Sequence, residues 1–229
     1  MTASPLDRPV WHALNTRQNA FAIGGTRARR YATDVEPFAA AGDDSEASLA
    51  ELATLIATHG AAVLIQVGER PLPRGTTALA TMIGVQMVAR NLEPLAPATP
   101  IELLTEADVP AMIALATLTQ PGPFLARTHL LGQFWGVKEN GKLLAMAGER
   151  MKLDGFTEVS GVCTHPDARG RGYAGLLSRT VATQIQNRGE TPFLHAYATN
   201  TPAIRLYETL GFALRTNVVV TMLAAKDQS

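Results

Sequence analysis

The sequence has few of the residues that build several common kinds of site. Its 229 residues include a single cysteine, Cys163, so neither an intrachain disulfide nor a cysteine-based metal cluster can form. The five histidines contain no HxxxH or HExxH pair, so no metal site is predicted. Lys plus Arg and Asp plus Glu number 20 each. A chain of zero net charge lacks the basic field typical of nucleic-acid binding, and we expect no such partner.

Long hydrophobic runs are also missing. No apolar stretch approaches the ~18–20 residues that a membrane-spanning helix needs. The first residues, MTASPLDRPVWHAL, lack the basic and apolar regions of a signal peptide. We therefore expect a cytoplasmic protein without a membrane partner. A hydrophobic fraction of 46% with 17% charged residues is typical of a globular chain with a sizeable core.

A proline-rich stretch divides the chain. Pro94, Pro97 and Pro100 lie within residues 93–100, where they disfavour both helix and central strand. We predict an N-terminal α/β module of unknown role over residues 1–98 and a second domain over residues 99–229. The first module shows helix and strand patterns but no catalytic signature.

The second domain has a more legible pattern of elements. Apolar alternation and helical periodicity predict strands, helices and one Asn-Gly hairpin in an order typical of an α/β protein with a mixed sheet. The predicted elements are a strand at 101–104, a helix after Thr105, a hairpin at 133–147, a strand at 156–164, a helix from Gly172, a strand at 193–197, a short helix from about Pro202 to Gly211 and a strand at 218–223.

The loop between the 156–164 strand and its following helix contains the main candidate site. Gly170 and Gly172 allow the backbone to approach a ligand closely, and the first N–H groups of a helix have no internal partner. With the helix dipole they form a site for an anion such as a diphosphate, and Arg169 and Arg171 add positive charge. The spacing matches neither a Rossmann fingerprint nor a P-loop. The alternative is a tight turn with two surface arginines.

Two motifs resemble those of one enzyme family. The hexamer Arg-Gly-Arg-Gly-Tyr-Ala at 169–174 resembles the coenzyme A loop of the GNAT N-acetyltransferases, Gln/Arg-x-x-Gly-x-Gly/Ala. Residues 200–212, from Asn200 to Phe212, resemble the second signature of the family, Asn-x-x-Ala-x-x-x-Tyr-x-x-x-Gly-Phe. The resemblance covers residues 100–225. It implies a GNAT-like α/β fold, with a mixed, mostly antiparallel sheet flanked by helices and the N-terminal α/β module in addition.

The resemblance also implies acetyl-CoA as co-substrate and a set of residues that bind it. In such proteins the strand before the loop splays from its neighbour, and its free backbone groups pair with the pantetheine arm. The diphosphate is expected on the helix amides. The implied cofactor-binding residues are Val162, Cys163, Thr164, Arg169, Gly170, Arg171, Gly172, Tyr173, Ala174, Gly175 and Asn200.

Two residues match catalytic positions of the family. Tyr207 corresponds to the tyrosine whose hydroxyl protonates the leaving thiolate; the alternative is a core tyrosine spaced with Ala203 and Leu210. Glu158, in Gly-Phe-Thr-Glu, resembles the general base of the histone-acetyltransferase branch; the alternative is a strand carboxylate paired with an arginine. Cys163 lies on the opposite strand face from Glu158. Its expected role is packing rather than covalent transfer of the acetyl group.

The predicted function is transfer of an acetyl group from acetyl-CoA to an amine by direct attack in a ternary complex. The alternatives are a non-catalytic acyl-CoA sensor or scaffold of the same fold, and transfer of a longer acyl chain. The acceptor, a small-molecule or protein amine, cannot be read from the sequence. Whether the chain is a monomer or a homodimer is also left open.

Overall fold

The computed structural model describes residues 4–92 and 99–226, so most of the proline-rich stretch lies outside the described residues. The helices and strands are listed here in chain order. They are α1 (Pro9–Asn15), β1 (Ala22–Gly24), β2 (Ala28–Tyr31), β3 (Ala39–Ala41), α2 (Glu46–His59), β4 (Ala62–Val67), β5 (Thr76–Ala89), β6 (Glu102–Leu103), α3 (Val109–Thr119), β7 (Phe134–Glu139), β8 (Lys142–Leu153), β9 (Phe156–Thr164), α4 (Tyr173–Asn187), β10 (Thr191–Tyr197), α5 (Thr201–Thr209) and β11 (Phe212–Ala225).

The main sheet has eight strands in the order β4-β11-β5-β10-β9-β8-β7-β6. Strands β9 and β10 are parallel, and the other neighbouring pairs are antiparallel. A separate three-stranded sheet, β1-β2-β3, precedes it in the chain. The predicted fold class, an α/β protein with a mixed, mostly antiparallel sheet flanked by helices and additional N-terminal structure, is confirmed.

The main sheet crosses the predicted boundary at residue 98. Strands β4 and β5 come from the first module, and β5 is hydrogen-bonded between β11 and β10. The division into modules 1–98 and 99–229 therefore stays a prediction. Part of the first module belongs to the same sheet as the second.

Local sequence signals explain where several elements begin and end. The hairpin between β7 and β8 turns at Asn140 and Gly141, whose φ angles of 51° and 77° suit a tight hairpin turn. Helix α2 begins after Ser45, whose hydroxyl accepts a hydrogen bond from the Ser48 N–H, and ends before Gly60 with a φ of 83°. These turns and caps hold the longer elements in register.

The sheet is covered on both faces. On one face, α4 buries Leu177, Val181 and Ile185 against strand residues that include Val85 and Met87. The N-terminal segment covers the other face, where the residues sharing one core are Val10, Leu14, Phe38, Ile65, Phe193 and Val218. The two faces therefore have different tasks: one seats α4, and the other holds the N-terminal segment close to the strands.

Replacement of one buried side chain of α4 tests the first of these cores. Leu177 is 0% exposed, so Leu177→Ala leaves a cavity and should lower the free energy of unfolding by about 2–5 kcal/mol. Urea unfolding measures the loss. Leu118→Ala, at a residue 55% exposed, is the control and should change stability by no more than about 0.5 kcal/mol. Equal effects of the two changes would contradict the packing described here.

Candidate active site

The parallel strands β9 and β10 separate partway along their length. They pair at three positions, which join Phe156–Glu158 to Thr191–Phe193. Beyond Glu158, β9 continues to Thr164 on the β8 side, and β10 continues to Tyr197 on the β5 side. This is the splay that the family resemblance implied, and it opens a gap in the middle of the sheet.

A cleft of about 1010 Å³ occupies this region. It reaches from the loop before α4 to the sheet face formed by β4, β5 and β11. Its lining includes ten of the eleven predicted cofactor residues, namely Val162, Cys163, Thr164, Arg169, Gly170, Gly172, Tyr173, Ala174, Gly175 and Asn200. Tyr207, one of the two predicted catalytic residues, also lines it.

The start of α4 has the geometry of an anion site. Gly172, the residue before the helix, has a φ of 77°, and Gly170 has a φ of 80°. A Cβ atom at either position would meet no atom within 4 Å, so the backbone borders open space. The helix that follows has 15 residues. Its first N–H groups and its dipole therefore favour a negatively charged group in the cleft.

The side chain of Arg171 is the one predicted cofactor group that does not line the cleft. Its Nη1 lies 3.0 and 3.1 Å from the carboxylate oxygens of Glu139, and the Tyr173 hydroxyl donates to the same carboxylate at 2.9 Å. These bonds hold the pKa of Glu139 below its ordinary value, with the Tyr173 bond the larger cause. Arg171 thus anchors the loop to β7, and its backbone amide is the part left for a ligand.

Tyr207 lies on α5 with its ring 8% exposed and packed edge-on to Phe212. Burial raises the pKa of its phenol to about 12. The hydroxyl is therefore protonated at neutral pH and available as a donor to the cleft. The same packing satisfies the alternative of a core tyrosine, so its catalytic role stays a prediction.

Glu158 does not face the cleft. It is fully buried, and its carboxylate accepts hydrogen bonds from Arg150 Nε and Nη2, both at 2.8 Å, and lies 2.7 Å from His195 Nδ1. Burial by itself would raise the pKa of Glu158, but the charge and hydrogen bonds of Arg150 and His195 hold it well below its ordinary value. The role of Glu158 as a general base stays a prediction. The geometry matches the alternative, a strand carboxylate paired with an arginine.

His195 is the functional candidate that the sequence analysis missed. It lies on β10 just past the point of separation and lines the cleft, with its side chain 7% exposed. Strand alternation gives no signal for it, because its partner Glu158 is 37 residues away in the chain. A single histidine in a strand is otherwise indistinguishable from a packing residue.

The neighbours of His195 determine which ring nitrogen carries the proton. Gln86 Nε2 lies 3.0 Å from His195 Nε2 and also donates to the Leu6 carbonyl at 2.9 Å, while Gln86 Oε1 accepts from Arg215 at 2.8 Å. The amide orientation is therefore fixed by partners other than the histidine. Its N–H faces Nε2, so Nε2 is an acceptor and Nδ1–H donates to Glu158. In this tautomer the lone pair of the ring is at Nε2.

Two further ionisable groups lie beside this pair. Arg150 lines the cleft, is 8% exposed, and stands 4.9 Å above the ring of Phe38. Glu36 is fully buried nearby. Burial raises the pKa of Glu36 to about 8 against the opposing charge of Arg150, so at neutral pH it is mostly protonated.

Cys163 is a packing residue in this structure. It is 6% exposed in a cluster with Met112, Phe134 and Met146. Burial raises the pKa of its thiol to about 11, so the nucleophilic thiolate is scarce at neutral pH. The packing role expected from the sequence agrees with this environment.

Within residues 4–92 and 99–226, no group of three or more His, Cys, Asp or Glu side chains is placed to hold a metal ion. Over the same ranges no helix combines the length and apolarity needed to cross a membrane.

Comparisons with known proteins place this architecture in a family. The model of the family "FR47-like protein" matches residues 135–220. The alanine N-acetyltransferase of ribosomal protein bS18 from Escherichia coli is 29% identical over 118 residues, which are 49% of this chain and 79% of that protein. A GCN5-related N-acetyltransferase from Kribbella flavida, 19% identical, shares the fold over 96% of both chains with a TM-score of 0.66.

A further solved structure covers nearly the whole chain. A GNAT-family acetyltransferase from Novosphingobium aromaticivorans is 41% identical to it, with a TM-score of 0.91 over 98% of this chain and 100% of that one. Sequence and fold agree over both the splayed strands and the N-terminal segment. The chain therefore belongs to the GNAT family of acetyltransferases.

Proposed function

We propose that the protein transfers the acetyl group of acetyl-CoA to an amine by direct attack, with donor and acceptor bound together. The observation that supports this most is the composition of a single cleft. The anion site at the start of α4, the separated edge of β9, the Tyr207 hydroxyl and the His195 imidazole all border it. A donor bound at one end would present its thioester between the two side chains.

The donor would lie along β9 and end at α4. Its diphosphate would accept hydrogen bonds from the amides of residues 171–175, where Gly170 and Gly172 leave room for it. The backbone of Val162 to Thr164 lies past the last β10 pair, so it can pair with the pantetheine amides. Arg169, on the cleft, adds a positive charge near the phosphates.

The amine would lose its proton to the pair of His195 and Glu158. An amine reaches the site mostly as ammonium and must be neutral to attack. Nε2 of the imidazole can accept a proton once the Gln86 amide turns its N–H away from it, and the Glu158 carboxylate at Nδ1 stabilises the imidazolium that forms. Glu158 would thus act through His195 rather than on the amine itself.

Formation of the amide then involves two further proton transfers. The amine nitrogen forms a bond to the thioester carbonyl carbon, and the carbon–sulfur bond breaks. Tyr207 gives its proton to the departing thiolate and recovers one from the newly bonded nitrogen. The products are the amide, coenzyme A thiol and the proton left on His195, which passes to solvent.

Replacement of Tyr207 by phenylalanine tests the proton donor. Only the hydroxyl is lost, so Tyr207→Phe should lower kcat by ~10–1000-fold and leave acetyl-CoA affinity nearly unchanged. Thiol release measures kcat, and calorimetric titration measures the affinity. A variant that turns over at the wild-type rate would leave Tyr207 with a packing role.

A screen of amines for release of coenzyme A thiol tests the activity as a whole. The screen includes both small-molecule and protein amines, because the relative from E. coli is named as the alanine N-acetyltransferase of a ribosomal protein. Release that depends on an acceptor supports the proposal. Thermal stabilisation by acetyl-CoA with no thiol release on any amine would instead favour the non-catalytic sensor or scaffold.

A further inference from the structure

The acceptor end of the cleft is an apolar sheet face built by β4 and β5 together with the C-terminal strand β11. Val220 on β11 lies opposite both Ile65 on β4 and Met82 on β5. Strand alternation puts Val218 and Met222 on the same face. All five line the cleft, and together they form the apolar floor. An acceptor that rests on this floor gains from burying an apolar group of its own.

The charges around the cleft have one sign. No aspartate or glutamate is among its lining residues in the described chain, whereas Arg150 and Arg169 are. Arg169 belongs to the cofactor loop. A polycationic acceptor would find no carboxylate on the walls to match its charges, and burial of unmatched charge is unfavourable. The walls instead favour an acceptor that brings a negative group of its own.

Arg150 has donors to spare for such a group. A guanidinium carries five N–H donors, and Glu158 takes one from Nε and one from Nη2. Among the described residues nothing accepts a hydrogen bond from Nη1, although the side chain is only 10% exposed. Glu36, mostly protonated at neutral pH, adds no second carboxylate charge to that of Glu158. Arg150 is therefore a buried cation on the cleft wall with an unpartnered pair of donors.

Arg150 and His195 are immediate neighbours. Arg150 Nη2 and His195 Nδ1 both bind Oε1 of Glu158, at 2.8 and 2.7 Å. Glu158 therefore joins the side chain proposed to bind a carboxylate to the side chain proposed to bind the amine, and both side chains line the cleft. Two cleft-lining groups held by one carboxylate suit a small acceptor that carries both a carboxylate and an amine.

We propose that the acceptor is a free α-amino acid with an apolar side chain, and this rests on the proposed function. Its amine would face Nε2 of His195, its carboxylate the Nη1 donors of Arg150, and its side chain the apolar floor. An amino acid enters as a zwitterion of zero net charge, and each of its charged groups meets a partner of the required kind.

A matched set of acceptors tests the assignment. Leucine, leucinamide and 3-methylbutylamine share one side chain, and only leucine has the carboxylate. We expect kcat/KM for leucine to exceed that for either analogue at least ~10-fold, because a charge-assisted pair with Arg150 is lost in both. The lower amine pKa of leucinamide favours its reaction, so a preference for leucine cannot come from amine reactivity.

The variant Arg150→Lys tests the anchor. Lysine keeps a charge for Glu158 but lacks the planar fork, so the ratio of kcat/KM for leucine to that for leucinamide should fall towards one. A ratio taken within one variant is independent of the folded fraction. Arg127→Lys, at an arginine half exposed beside Asp34, is the control and should keep the wild-type ratio.

Several outcomes would overturn the assignment. A wild-type ratio near one, or a ratio unchanged in Arg150→Lys, would remove the carboxylate anchor. A preference for a leucine-initiated peptide over leucine would favour a protein amine instead. Calorimetric titration of leucine into the coenzyme A-bound protein separates failure of the acceptor assignment from failure of the proposed function. Leucine binding that depends on Arg150, without turnover of any amine, would support the site and contradict the activity; no leucine binding would contradict the site.

Discussion

Gly172→Glu is expected to abolish saturable binding of acetyl-CoA. The glycine precedes α4, and the space where its Cβ would lie is open towards the cleft. A glutamate there would place both bulk and negative charge where the diphosphate is proposed to accept hydrogen bonds from the helix amides. Affinity measured by calorimetric titration should fall by at least ~100-fold, which corresponds to about 2.7 kcal/mol.

A glycine beyond the other end of α4 gives a matched control. Gly172 has a φ of 77°, and a non-glycine residue is strained there whatever the site does. Gly189, just past the other end of α4, has a φ of 78°, equally open surroundings and no place in the cleft. Gly189→Glu should therefore show the same strain with unchanged affinity. Equal affinity of a folded Gly172→Glu and the wild type would rule out this site.

The cofactor loop could be predicted from sequence because its determinants are local. A strand, two glycines and an amphipathic helix follow one another within the 32 residues 156–187, and each contributes through its backbone. The sequence also indicates a positive charge from Arg171 near the ligand. In the structure Glu139 binds that side chain from β7, 32 residues earlier, so cofactor binding by Arg171 stays a prediction. A local pattern cannot reveal a partner on another strand.

The surroundings of Glu158 show the same limit more strongly. Alternation predicts Glu158 and Val162 on one strand face, but the β8–β9 register shifts between Met146 and Gly148, and Val162 packs against the same core as Val159. The partners of Glu158 also depend on register, and the β8–β9 pairing is irregular between Glu149 and Lys152, where Arg150 lies. His195 reaches it across the parallel pair with β10. Neither contact follows from the spacing of residues in the chain.

The contribution of the first module to the cleft could not be predicted from the sequence, for a related reason. Its strands carry no polar motif, and their contribution to the cleft is a set of apolar side chains. They reach the site because β5 pairs with β10 and β11, more than 100 residues later in the chain. A sequence pattern can show that such strands are buried. It cannot show that they line the cleft.

Loss of the proposed proton acceptor should have the other large effect. Glu158→Gln keeps the shape of the side chain but cannot stabilise an imidazolium, and His195→Ala removes the imidazole. We expect kcat to fall ~100–10,000-fold in each, with acetyl-CoA affinity preserved. Because Glu158→Gln leaves Arg150 buried without its carboxylate, it should also lose about 3–5 kcal/mol of stability. Its kcat is therefore divided by the folded fraction, measured by circular dichroism.

Three readouts separate a proton-transfer role from a structural one. Raising the pH should partly restore kcat in both variants, because solvent then supplies more neutral amine. Added imidazole should partly restore His195→Ala, whose cavity lies on the cleft, and should leave Glu158→Gln unchanged. The kcat of the double variant should be little lower than that of His195→Ala alone, since the effects of two residues acting in one step are not additive.

If His195→Ala kept the wild-type kcat below the pKa of the amine while Glu158→Gln did not, Glu158 would act without the histidine. If both variants kept it, the amine would lose its proton to water, and the reaction would depend on the positions of donor and acceptor.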